Sequence, residues 1–130
     1  MSSRRASVRS QSLQVDVVLD RERALIVQPD VLFIAAERLS IIQNQVWGAP
    51  DLVVEVLSPG TEPHDRGEKL SWYRQYRVRE CWLIDPYAER AFVHDFSGAT
   101  PVVRRVDASE YLQSTVFPAF RAAPGTLFAV

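Results

Sequence analysis

The sequence predicts an α/β fold, a mixed β-sheet with at least one helix packed against it. Three observations carry that expectation. Short apolar runs of strand character lie on both sides of one segment with helix-start signals. The run at 52–57, LVVEVL, is apolar throughout apart from Glu55, as in a strand covered on both faces. The order strands, helix, strands suits a sheet with a packed helix. At 130 residues the chain fits one domain, read as 13–130.

Taken in order, residues 1–12 (MSSRRASVRSQS) hold five serines and three arginines with almost no apolar residue, and are expected to be a disordered tail. They lack the amphipathic face of a transit peptide. Leu13, Val15, Val17 and Leu19 then alternate with polar residues, apart from Val18, which predicts a strand. A charged turn at 20–23 leads into apolar residues 24–27. Pro29, which lacks an amide donor, should sit at an edge or at the start of the next strand, 31–34. Residues 35–44 read as an irregular or short helical excursion, and Gly48-Ala49-Pro50 punctuates before 52–57. After a loop at 58–63, the best helix runs from 65 to about 76, with Asp65 and Glu68 as a capping box. Leu70 and Tyr73 share one face of it, with Lys69 beside them. Residues 81–84 form a strand closed by Asp85-Pro86, and 91–94 with 102–106 form a hairpin around Ser97-Gly98. The last twenty residues, with Phe117, Phe120 and Phe128 between prolines, read as an irregular wrap with a final strand.

Composition narrows the function classes. No apolar run approaches the ~18 residues of a transmembrane helix, so no membrane partner is expected. Residues 1–12 have no apolar core of a secretory signal. Cys81 is the sole cysteine, which excludes an internal disulfide or a cysteine-rich zinc site and suits a reducing cytoplasm. Fifteen basic and sixteen acidic residues leave a net charge of −1. A broad basic surface for nucleic acid is therefore absent, and such a role must rest on a local basic face or a metal. Fourteen of the fifteen cations are arginine. The single lysine, Lys69, stands out because arginine does not replace a compact ammonium.

Glu55 is the strongest chemical anomaly. A carboxylate in a strand buried on both faces must be paired or bind a metal. An ion pair with a neighbouring arginine and a metal or acid–base role are both open. Asp30, at the start of another strand, is free to lie beside Glu55 if the two strands pair. Asp51 shares a sheet face with Glu55, but four residues of strand span ~13 Å, whereas Mg²⁺ takes its oxygens at ~2.1 Å. Lys69 lies near the start of the helix that leaves the Glu55 strand, close enough to meet it. Ser58, His64 and Asp85 could be imagined as a triad, yet no G-x-S-x-G elbow is present. His64 and His94 lack metal-ligand spacing. Cys81 reads as core, and Trp72, Tyr73 and Tyr76 read as packing.

Four segments in order, QPDVLF at 28–33, GAPDLVVEVLSP at 48–59, DRGEK at 65–69 with Tyr73, and CWLIDP at 81–86, carry a resemblance. From about Leu13 to the C-terminus the chain resembles the Uma-type restriction endonucleases, formerly a domain of unknown function, within the PD-(D/E)XK nuclease superfamily. The resemblance implies a restriction-endonuclease-like fold and a DNA-cleaving, Mg²⁺- or Mn²⁺-dependent endonuclease. Asp30 matches the first metal-binding acid and Glu55 the second. Position 57, where the superfamily usually has lysine, is leucine, and Lys69 matches a lysine moved onto the following helix. Asp51 also matches a family position, and the distance argument makes it a supporting or structural candidate.

Arg77 stands where the family usually has glycine, and Cys81 where it has tyrosine. Family members typically carry several dozen more residues before Leu13, including a helix over one sheet face. The chain is therefore expected to be N-terminally shortened, with an exposed face that invites a homo-oligomer. The alternative expectation, of another class, is a catalytically inactive shortened relative serving as an interaction or oligomerising domain.

Overall fold

Residues 6–10, 15–58 and 63–122 are described by the computed structural model, with backbone alone at 6–10 and 63–65. Five short strands come first: β1 (Ala6–Ser10), β2 (Val17–Asp20), β3 (Leu25–Val27), β4 (Val31–Ala35) and, after a 3-10 helix at Ala36–Ile41, β5 (Val46–Trp47). Then follow β6 (Leu52–Val56), α1 (Pro63–Gln75), β7 (Glu80–Asp85), β8 (Arg90–Asp95), β9 (Val102–Asp107), β10 (Leu112–Gln113) and β11 (Arg121–Ala122).

The main sheet has the order β1-β4-β6-β7-β8-β9. Its parallel pair is β6 with β7, and the other neighbours pair antiparallel. A parallel pair cannot be closed by a tight hairpin, and α1 is the crossover it needs. A smaller sheet, β3-β2-β5, pairs β2 antiparallel to β3 and parallel to β5.

Strand alternation divides the core in two. Phe33, Leu52, Val54, Trp82 and Ile84 point to one face of the main sheet, and Leu32, Ile34, Val53, Cys81 and Leu83 to the other. Val116 and Phe117, with Phe120, cover the first face, where the Phe120 ring stacks on Trp82 at 5.2 Å. Val17, Val27 and Val46 of the small sheet and Tyr73 of α1 cover the second. Cover on both sides explains why 52–57 is apolar apart from Glu55, and the alternation places residue 55 on the side of α1.

Several expectations change. Residues 6–10 are not disordered tail: they form β1, from Ala6 opposite Ala35 to Ser10 opposite Val31. An edge strand is recruited by backbone hydrogen bonds, which composition does not register. Residues 1–5, 11–14, including Leu13, and 123–130, including Phe128, lie outside the described residues. The helix begins at Pro63, where a missing N–H costs nothing in a first turn, so Asp65 lies within the helix and is not its cap. The 3-10 helix falls within the excursion expected at 35–44, and β8–β9 is the expected hairpin.

α1 ends in a Schellman motif. The Val78 amide donates to the Tyr73 carbonyl at 2.8 Å, and the Arg77 amide to that of Arg74 at 3.2 Å. This closure sets Arg77 at φ 71°, in the left-handed region. The local geometry thus accounts for the glycine that the resemblance leads one to expect there. Arg77→Gly is expected to raise stability in urea unfolding by about 0.5–1 kcal/mol, the relief of the Cβ strain less the added unfolded-state entropy.

Glu80 secures the C-terminal segment. Fully buried, it accepts from Ser114 Oγ at 2.7 Å, Thr115 N at 3.1 Å, Val116 N at 3.0 Å and Trp82 Nε1 at 2.6 Å. Glu80→Ala strands these donors and is expected to lower the urea unfolding free energy by about 3 kcal/mol or more. A loss under about 1 kcal/mol would show that the segment is held otherwise.

Candidate active site

The antiparallel register of β4 and β6 sets Val31 opposite Val54. One step further along the same register brings Asp30 opposite Glu55, on the face beneath α1. Asp30 Oδ2 accepts from the Val56 amide at 2.7 Å, so the first candidate acid is tied to the backbone next to the second. α1 then returns over the end of β6. Lys69 and Tyr73, four residues apart and hence on one helix face, both reach Glu55. Lys69 Nζ lies 3.2 Å from Glu55 Oε2, and the Tyr73 hydroxyl donates to that same oxygen. These groups line a cleft of about 660 Å³, which Gln28, Arg66 and Trp72 also line.

Burial governs the electrostatics. Glu55 is 8% exposed, and desolvation raises its carboxyl above the ordinary value of 4.5. The Tyr73 hydrogen bond and the Lys69 charge pull it down, and the charge of Asp30 pushes it up. Burial, with Glu55 alongside, drives the Tyr73 hydroxyl far above the tyrosine range, so it stays a donor at neutral pH. Burial likewise pushes the Cys81 thiol up, which fits an inert core residue.

Of the residues singled out in the sequence, Asp30, Glu55 and Lys69 come together. The cation on Glu55 is Lys69, where an arginine was the open alternative. Asp51 does not join them. At 2% exposed it sits before the other end of β6, where Oδ2 accepts from the Ala35 amide at 2.8 Å and from Arg38 Nη1 at 3.0 Å. Arg38 also donates to the Ala49 carbonyl at 2.8 Å, so Asp51 fastens the 3-10 helix to the sheet. Asp85 Oδ1 closes a turn by accepting from the amides of Tyr87 and Ala88. His94 is half-buried, tilted against Phe96, and desolvation lowers its pKa. The residue that sequence reasoning missed is Tyr73. Its burial matches the packing role, but its hydroxyl does more, and the four-residue step from Lys69 was the available signal.

Among the described residues no group of three or more His, Cys, Asp or Glu side chains is placed to hold a metal. Asp30, Glu55 and Glu68 line the cleft, and of these Asp30 and Glu55 stand opposite one another in the sheet. Two carboxylates facing each other across the β4–β6 register suit a hard divalent cation, and Mg²⁺ commonly uses one or two carboxylates with water and phosphate completing its shell. The residues present therefore fit such an ion.

The sequence profile of the Uma2 family, described as "Putative restriction endonuclease", matches residues 3–125. The chain belongs to the Uma2 family. Comparison with curated proteins finds no match. Among solved structures, the Uma2 chain is similar to one described as a "putative nuclease belonging to DUF820 from Anabaena variabilis", at 18% identity and a TM-score of 0.73. The likeness covers 95% of this chain and 68% of that one, and establishes a shared, restriction-endonuclease-like fold.

In this Uma2 domain the raised Glu55 pKa has a defined sign. Folding favours the protonated acid, so its stabilisation is complete below 4.5 and is lost as pH rises through the raised value. Glu55→Gln mimics the protonated form. In metal-free buffer it is expected to gain stability relative to wild type between pH 4.5 and pH 8, read by urea unfolding at each pH. A difference that stays flat across this window would mean that folding does not raise the Glu55 pKa.

Proposed function

We propose that the chain is a divalent-metal-dependent endonuclease that hydrolyses phosphodiester bonds in DNA. Membership of a family described as "Putative restriction endonuclease" supports nuclease chemistry, as does the fold shared with a chain described as a "putative nuclease". The observation that carries the finer reading is the meeting of Asp30, Glu55 and Lys69 at one cleft. Asp30 and Glu55 would hold Mg²⁺ or Mn²⁺. A bound ion of this kind neutralises phosphate charge and acts as a Lewis acid toward water.

The chain's own groups supply the remainder. The Lys69 ammonium, anchored on Glu55 at 3.2 Å and 37% exposed, directs positive charge toward oxygens that become more negative as the phosphodiester bond breaks. Arg66 adds a second cation at the cleft wall. With a net charge of −1, affinity for DNA rests on these local charges and on the metal, not on a basic surface.

The test is nicking of supercoiled plasmid with Mg²⁺ or Mn²⁺. Wild type is expected to cleave, and Asp30→Ala, Glu55→Ala and Lys69→Ala are each expected to lose at least ~100-fold in rate. Full cleavage by the Lys69→Ala chain would remove lysine from the mechanism. A folded wild-type chain inert with both ions would refute the nuclease reading and favour the interaction-domain alternative.

A further inference from the structure

Two donors converge on one carboxylate oxygen, and they differ in kind. Lys69 carries its ammonium on a flexible stem and is 37% exposed. Tyr73 is 1% exposed, its ring packed in the core beneath α1 with Val53, Leu57 and Cys81. Its backbone is held as well, since the Tyr73 carbonyl accepts the Val78 amide at 2.8 Å in the Schellman motif. Tyr73 is thus a rigid donor aimed at Glu55 Oε2.

A buried tyrosine needs an acceptor for its hydroxyl, and a backbone carbonyl would satisfy that need. Here the acceptor is, among the described residues, the buried carboxylate that lines the cleft. Glutamate has three side-chain torsions, and an unrestrained carboxylate would have to be ordered by the ion it binds. Holding Oε2 in advance removes that cost from metal binding.

We infer that Tyr73 is a positioning residue, orienting Glu55 for a divalent cation by donating to Oε2. The inference rests on the metal-site reading above. It assigns the hydroxyl to metal affinity and not to the core, where the ring alone suffices.

The experiment titrates Mn²⁺ alone into the full chain, without DNA, following the free ion by electron paramagnetic resonance and the fold by circular dichroism. Tyr73→Phe removes only the hydroxyl and is expected to weaken Mn²⁺ binding by about 10–100-fold while the fold persists. Tyr76→Phe is the control: Tyr76 directly follows the same helix but donates to Asp20 at 2.7 Å, and its loss is expected to leave Mn²⁺ affinity unchanged. Unaltered affinity in Tyr73→Phe overturns the proposal. So does an equal loss in both variants, which would report a loosened helix, or a Tyr73→Phe chain that fails to fold, which would assign the hydroxyl to the core. A folded wild type that takes up no Mn²⁺ overturns the metal-site reading itself, a result distinct from all of these.

Discussion

Glu55 lies in β6, a strand flanked by β4 and β7 and covered on both faces, so its carboxylate is largely removed from water at the floor of the cleft. Burial penalises the charged form, and the surrounding structure has to answer that penalty. It does so with groups from a single neighbouring element. The parallel β6–β7 pair requires a crossover helix, and that helix returns with Lys69 and Tyr73 facing the sheet. The register of β4 then adds Asp30 beside them. The cleft follows from one acid that the core could not otherwise tolerate.

Asp51 and Glu80 are buried as Glu55 is, yet their surroundings give them other work. Asp51 is answered by a backbone amide and by arginines, at 3.0 Å for Arg38 and 3.8 Å for Arg79, and it fixes the 3-10 helix. Glu80 is answered by amides, a hydroxyl and an indole, and it fixes the C-terminal cover over Trp82. Among these, Glu55 is the one that lines an open cleft. The Asp51 and Glu80 contacts both secure the start of the parallel β6–β7 pair, where the Glu80 amide donates to the Asp51 carbonyl at 3.2 Å, and the Glu55 contacts leave a charged group within reach of solvent.

Much of this was legible in the chain. The apolar runs at 31–34, 52–57 and 81–84 became central strands, since alternate residues there pack on opposite faces and few other arrangements bury them. Glu55 and Lys69 could be singled out because a carboxylate in such a run and a lone lysine among arginines are both exceptions. Residues 6–10 could not, since pairing to the edge of β4 rests on backbone groups that every residue carries. Nor could the helix start, because Pro63 accepts the first turn as readily as it closes a loop.

The amino-acid order by itself determined the mixed fold, the helix between the strands at 52–57 and 81–84 and the presence of a buried acid in need of a partner. These follow from hydrophobic periodicity and from the cost of burying charge, and both are local properties of the chain. The chain could bring Asp30 and Lys69 within reach of that acid, but their meeting, and the arrival of the Tyr73 hydroxyl on the same oxygen, was decided by the tertiary structure. Antiparallel register chose Asp30, and the path of α1 chose Lys69 and Tyr73 over any of the arginines. The same packing removed Asp51 from the cleft by giving it Arg38. Contacts between residues 14 to 26 positions apart depend on how strands pair and where a helix lands, and no local pattern encodes either.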